Sequence, residues 1–281
     1  MKSSIYLMFL MLSVTTCFCF AEERILFMAG AAAQPVVEDL AKAFEKKTGI
    51  KVDTSIGGSG MLLSQIKLAK KGDVYFPGSI DFIEKAKKEG HIDESTITPI
   101  VYLVPAINVQ RGNPHKINKL KDLCKPGLKV AIAQPETVCL GVFAVEMVEN
   151  LFNPEEKKAF RNNLVTYTES CEKTANMISL KTADAVIGWS VFESWNPDLI
   201  ETVKLDPSEI IRISYLAVAV TKYAGNPDSA KKFIEFMKSP EGLDFFRKFN
   251  YFITPEEALN YVGEKKPVGG IPYNVPKDWL E

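Results

Sequence analysis

The residues of this 281-residue chain best suited to chemistry form a turn, Gly57-Gly58-Ser59-Gly60-Met61. Alternation through Lys51-Val52-Asp53-Thr54-Ser55-Ile56 predicts a half-buried strand ahead of it. After it, Leu62, Leu63, Ile66 and Ala69 recur at helical spacing. Ser59 stands where a helix N-cap belongs, and the first helical turn leaves N–H groups without intrahelical partners. Glycines let the backbone approach a ligand, and aligned peptide dipoles favour negative charge at that end. The chemistry this predicts is non-covalent capture of an anion. Taken alone, the same residues read equally well as an ordinary capped helix after a flexible turn.

Three other strand-to-helix turns share the pattern. They are Ala29-Gly30-Ala31-Ala32-Ala33-Gln34-Pro35, Gln134-Pro135-Glu136-Thr137-Val138-Cys139-Leu140-Gly141 and Glu169-Ser170-Cys171. Together, up to four helix N-termini could aim backbone amides at one concave centre. Other chemistries find little support. Met61 occupies the last glycine position of a nucleophile elbow, and no Gly-Lys-Ser/Thr triplet makes a P-loop. His91 and His115 lie in polar, turn-like stretches with no partner suggested, and Asp184 and Glu193 read as solvated or capping groups. No catalytic residue, metal-ligand set or cofactor is expected, and the chain is not read as an enzyme.

The elements that must position these turns come from the rest of the chain. Lys2, the apolar run Ile5 to Leu12 and the small Ala21 predict a secretory signal peptide over 1–21. A lipid on Cys17 is the lesser alternative, because Val14-Thr15-Thr16 is a poor processing site. The mature chain is therefore expected to be periplasmic or extracellular. The 34 basic and 35 acidic residues of the full 281-residue sequence nearly balance without a basic stripe, so nucleic acid is not an expected partner. Cys124, Cys139 and Cys171 remain after cleavage, an odd count that allows one pair and one leftover thiol.

Repeated β-α units, from Arg24 to Lys88 and again from Lys129 to Trp189, predict an α/β fold with mostly parallel sheets flanked by helices. The apolar runs Ile97–Val109 and Ile210–Val220 read as two strands crossing between lobes, the first demoted from a sheet centre by Pro99 and Pro105. That gives a discontinuous lobe 1, 22–103 with 215–281, and a lobe 2 over 104–214. A long amphipathic stretch, Ser229 to Phe249, follows, and a tail from Gly263 is expected to wrap the surface. Ligands of open α/β sheets bind beyond the carboxyl ends of the strands, here across a cleft closed by hinge motion.

Several motifs, taken in order, resemble the molybdate/tungstate-binding proteins of ABC importers, a branch of the two-lobed periplasmic binding proteins. They are the small-residue turn before Val36-Val37-Glu38-Asp39-Leu40-Ala41, Gly58-Ser59-Gly60-Met61-Leu62-Leu63-Ser64-Gln65-Ile66, Pro135-Glu136-Thr137-Val138 with Gly141, Ala183-Asp184-Ala185-Val186-Ile187-Gly188-Trp189 and Asn226-Pro227-Asp228-Ser229. The resemblance implies capture of a tetrahedral oxyanion, delivery to the importer's membrane subunits and a monomeric protein. It also implies neutral donors: Ser59 with Gly60 on the glycine turn, amides near Leu140 and Cys171, a first-turn position at Ala32 and a tyrosine position at Trp189. Two departures stand out. Ala32 lacks a hydroxyl, and Trp189 offers at most one indole N–H or simply packs. Cys139 and Cys171 are additions to the pattern. They read as a disulfide between two turns, as small buried apolar residues, or as thiolates for a different, thiophilic oxyanion or metalloid ligand. Cys124 is then the unpaired residue.

Overall fold

The computed structural model describes residues 23–270 and 272–280, so the expected signal peptide lies outside the described residues. The first β-α series runs β1 (Arg24–Gly30), a 3-10 turn (Ala31–Ala33), α1 (Gln34–Thr48), β2 (Lys51–Gly57), α2 (Ser59–Ala69), β3 (Val74–Phe76) and α3 (Ile80–Lys88). The chain then crosses through β4 (Thr98–Leu103) and β5 (Pro105–Gln110). A second series follows: β6 (Val130–Ala133), α4 (Cys139–Leu151), α5 (Pro154–Asn163), β7 (Leu164–Thr168), α6 (Cys171–Ser179), β8 (Ala185–Trp189), α7 (Phe192–Trp195) and β9 (Ile200–Val203). The return strand β10 (Ser214–Val220) leads to α8 (Pro227–Met237), α9 (Pro240–Arg247) and α10 (Pro255–Val262).

These strands make two five-stranded sheets, ordered β2-β1-β3-β10-β4 and β7-β6-β8-β5-β9, each flanked by helices. The result is a two-lobed α/β fold. Each sheet is mixed. The β-α units supply the parallel strands β2, β1, β3 and β7, β6, β8, while β10 and β5 run antiparallel to both of their neighbours. Crossing segments enter a sheet from the opposite end, which is why half of each sheet departs from the parallel expectation. Pro99 sits on β4, an edge strand, and Pro105 opens β5, two places where a missing N–H is tolerated.

The amphipathic stretch expected as one helix is two. Pro240 cannot continue α8, and Ser239 instead caps α9 by accepting from the Gly242 amide at 3.2 Å. Phe233 on α8 packs edge-on against Phe27 and Phe44, with ring centres 4.9 and 5.0 Å apart. The apolar core of the first sheet runs on without a break into Cys139, Phe143 and Trp189 of the second. The tail does more than cover a surface. Trp279 is buried in the second core, donates its indole N–H to Glu149 at 2.7 Å and carries the Arg161 guanidinium 3.9 Å above its ring.

Candidate functional site

Strand register brings the four turns together in two pairs. β1 and β2 are parallel neighbours with Gly30 opposite Gly57, so the Ala31–Ala33 turn and the N-terminus of α2 emerge side by side. β6 and β7 are parallel neighbours with Ala133 opposite Thr168, so α4 and α6 begin side by side on the other lobe. The two pairs meet at a buried seam. A Cβ built on Gly78, just beyond β3, would stand 2.5 Å from the Cys139 sulfur, 2.8 Å from the Ala32 methyl and 3.6 Å from Ser59 Oγ.

On the first lobe, Ser59 is the first residue of α2 and Gly58 is its N-cap, contrary to the sequence expectation. The hydroxyl does not cap its own helix. It accepts from the Gly78 amide at 3.0 Å, and the residue is only 2% exposed. Two tyrosines brace this wall. The Tyr75 hydroxyl donates to the Ser59 carbonyl at 2.8 Å, and that of Tyr251 donates to the Ala32 carbonyl. Burial pushes both phenols well above their ordinary range, so they stay neutral donors. Ala32 is fully buried and faces the seam with its methyl group.

On the second lobe, Cys139 and Cys171 are the first residues of α4 and α6. Their sulfurs lie 3.8 Å apart as free thiols, not as a bond. Burial pushes the Cys139 thiol well up, contact with Cys171 raises it further, and the nearby Ser59 hydroxyl and Leu140 amide act in the other direction. The sulfur is therefore protonated, in contact with the Cys171 thiol.

The glycines of the turn make the close approach possible. The Gly60 amide donates across the seam to the Thr137 carbonyl at 2.8 Å, so it is engaged by lobe 2. A Cβ on Gly58 would come within 2.8 Å of the Glu169 carbonyl, which only a glycine avoids. Behind the seam, Arg212 ties the two lobes. Its guanidinium donates to Asp81 on α3 at 3.0 Å and to Glu146 on α4 at 2.8 Å, and lies 4.0 Å from the Phe143 ring.

A family model described as bacterial extracellular solute-binding protein matches residues 25–251. The chain belongs to that family. The molybdate-binding protein ModA of Rhodobacter capsulatus is 26% identical over 238 residues, 82% of this chain and 88% of that protein. The periplasmic molybdate-binding protein of Azotobacter vinelandii superposes with a TM-score of 0.71 at 17% identity, over 82% of this chain and 99% of that one. The sulfate-binding protein SubI of Mycobacterium tuberculosis gives a TM-score of 0.73 at 17% identity, over 88% and 93% of the two chains. The chain is thus a solute-binding protein of an ABC importer, of the two-lobed ModA type, and such proteins work outside the cytoplasm as binding proteins rather than enzymes.

In this solute-binding protein the positions carried over from the resemblance differ in fate. Ala32, Ser59, Cys139 and Cys171 converge at the seam, and Leu140 follows Cys139 in the first turn of α4. Gly60 is there too, with its amide engaged. Trp189 is fully buried at the end of β8, 5.1 Å edge-on from Phe143, and its indole N–H has no partner among the described residues. Asp184 pairs with His115 at 3.2 Å and Glu193 with Arg111 at 2.9 Å, while His91 contacts the Tyr223 hydroxyl at 2.9 Å. Both histidines therefore have partners that the sequence did not suggest. Sequence reasoning also missed Tyr75, Gly78, Tyr251 and Arg212. A lone arginine inside the apolar run Ile210-Ile211-Arg212-Ile213 was the one available signal.

Proposed function

We propose that this solute-binding protein captures a small tetrahedral oxyanion, molybdate or tungstate, at the seam and delivers it to the membrane subunits of its importer. The observation that carries the reading is the meeting of Ser59, at the start of α2, with Cys139, at the start of α4, around Gly78 at one buried place between the lobes. Neutral donors at helix N-termini suit an anion without fixing its charge by a countercharge. The names of the ModA relatives favour molybdate, and that of SubI keeps sulfate in the test. Entry requires the lobes, 22–103 with 215–281 against 104–214, to part and close again. Closure is then driven by contacts that a ligand makes only when both walls meet.

Titration of the reduced mature chain with molybdate, tungstate, sulfate and phosphate, followed by calorimetry, tests this. One saturable site for molybdate or tungstate is expected, and it should weaken at least about tenfold in Ser59→Ala, as for a hydrogen bond to a charged group worth roughly 1.5–3 kcal/mol. Binding of sulfate or phosphate alone would replace the ligand. No binding of any of the four, or an unchanged Ser59→Ala, would overturn the reading.

A further inference from the structure

We propose that Cys139 and Cys171 form a dithiol site for a trivalent, thiophilic oxyacid of the arsenite or antimonite class within this same seam. The inference rests on reading the seam as the ligand site, and it adds a ligand held covalently to one held by hydrogen bonds.

One buried cysteine is adequately explained as a small apolar residue. Here two free thiols, 32 positions apart in sequence, are placed at 3.8 Å by the register of β6 against β7. Both stand at helix starts, where chain amides point outward, and the Cys139 sulfur faces the lobe 1 wall at Gly78, beside Ser59. A pair of sulfurs in contact suits one soft centre bridging them, because soft thiol ligands select soft ions and metalloids. Among the described residues no group of three or more His, Cys, Asp and Glu could hold a metal ion, which leaves the sulfur pair with the Ser59 hydroxyl as the donor set. Cys124 is remote from the pair, with its thiol directed at the Glu156 carbonyl, 3.4 Å away.

The chemistry balances without an oxidant. Neutral As(OH)3 enters an apolar seam more cheaply than a charged species would. Each sulfur forms an As–S bond as one As–O bond breaks, and the thiol proton leaves with that hydroxyl as water. Two thiols release two waters, arsenic stays trivalent, and one As–OH remains to meet the Ser59 hydroxyl or the Leu140 amide. Burial keeps the Cys139 thiol protonated, so it carries the proton that the departing hydroxyl needs.

The test titrates the reduced mature chain with sodium arsenite, maps the protected cysteines by alkylation and mass spectrometry, and reads arsenic ligation by X-ray absorption. One equivalent is expected to protect Cys139 and Cys171, leave Cys124 reactive on unfolding and show two As–S bonds. Cys139→Ser and Cys171→Ser should each lose about a hundredfold in affinity, the lower range for losing one arm of a two-point attachment. Cys124→Ser should bind as the parent does. Protection of neither seam cysteine, or undiminished affinity in a folded Cys139→Ser, overturns the proposal. Should both variants misfold, the mapping on the parent chain decides. A parallel molybdate titration separates the two readings. Molybdate binding without arsenite binding removes the dithiol site alone, and arsenite binding without any tetrahedral oxyanion removes only the earlier reading. Failure of every ligand removes both.

Discussion

On the first lobe the seam is faced by Ala32, Ser59 and Gly78, which offer a methyl group, a hydroxyl and bare backbone; on the second it is lined by the thiols of Cys139 and Cys171. Both walls arise in the same way, from the turns after two neighbouring parallel strands. The scaffold repeats, but its chemistry does not. Lobe 1 presents hard oxygen and nitrogen groups suited to hydrogen-bonding an oxyanion, whereas lobe 2 presents soft sulfur. The contrast lies in the residues that open α2, α4 and α6, which differ in chemistry above strand pairs of the same parallel register. A different set of residues holds the walls in register, with Arg212 on the return crossing joining Asp81 to Glu146.

The largest expected effect breaks that register. Arg212→Ala leaves two buried carboxylates facing each other without their cation, and the loss of a buried ion-pair partner costs roughly 3–5 kcal/mol. Urea unfolding should show it; a loss under about 1 kcal/mol, in the range of an exposed pair, would mean that the network is not what aligns the walls. Next comes Gly58→Leu, whose side chain would meet the Glu169 and Thr137 carbonyls across the seam. It should weaken every seam ligand by about a hundredfold, near 2.8 kcal/mol. Equal affinity in that variant would show that ligands do not need the walls this close.

A smaller effect sharpens the contrast between the walls. Ser59→Ala should cost the oxyanion about tenfold or more, whereas arsenite, anchored by two sulfurs, should lose less than that. Equal losses for the two ligands would erase the distinction between a hard and a soft wall. The smallest effect is in pH. Burial holds the Cys139 thiol above its ordinary range in the folded state, so the fold keeps a proton that the unfolded chain gives up. Its stabilising contribution is complete below the unfolded thiol pKa, near pH ~8.5, and is lost as pH rises above it, by at most about 1.4 kcal/mol per pH unit. Cys124, pushed up to about 11 by burial, adds a second such slope. Unfolding free energies across that range should therefore fall less steeply in Cys139→Ala than in the parent, and parallel slopes would contradict a buried neutral thiol at the seam.

What was legible in the sequence follows how local the deciding physics is. The alternation into Gly57 and the helical spacing after Ser59 placed β2 and α2, and the same reading started helices at Gly141 and Glu172, just after the observed starts of α4 at Cys139 and α6 at Cys171. Two lobes followed from two β-α series and two apolar crossings. The side chains that finish the site were not legible, because their partners are distant. Tyr75 reaches Ser59 across 16 positions and Tyr251 reaches Ala32 across 219. The Ser59 hydroxyl looked like a cap until Gly78, 19 positions on, supplied a better partner. The break between α8 and α9 was visible in Ser239-Pro240, but the strong apolar period on either side hid it.

The central claim is that an oxyanion sits between Ser59 and Leu140 in the closed protein. The most direct measurement is diffraction from crystals grown with tungstate, recorded at the tungsten absorption edge. The account predicts a single anomalous peak per chain, within hydrogen-bonding reach, through its oxygens, of Ser59 Oγ and the Leu140 amide. A peak elsewhere on the chain, or none with tungstate or molybdate at saturating concentration, would contradict it.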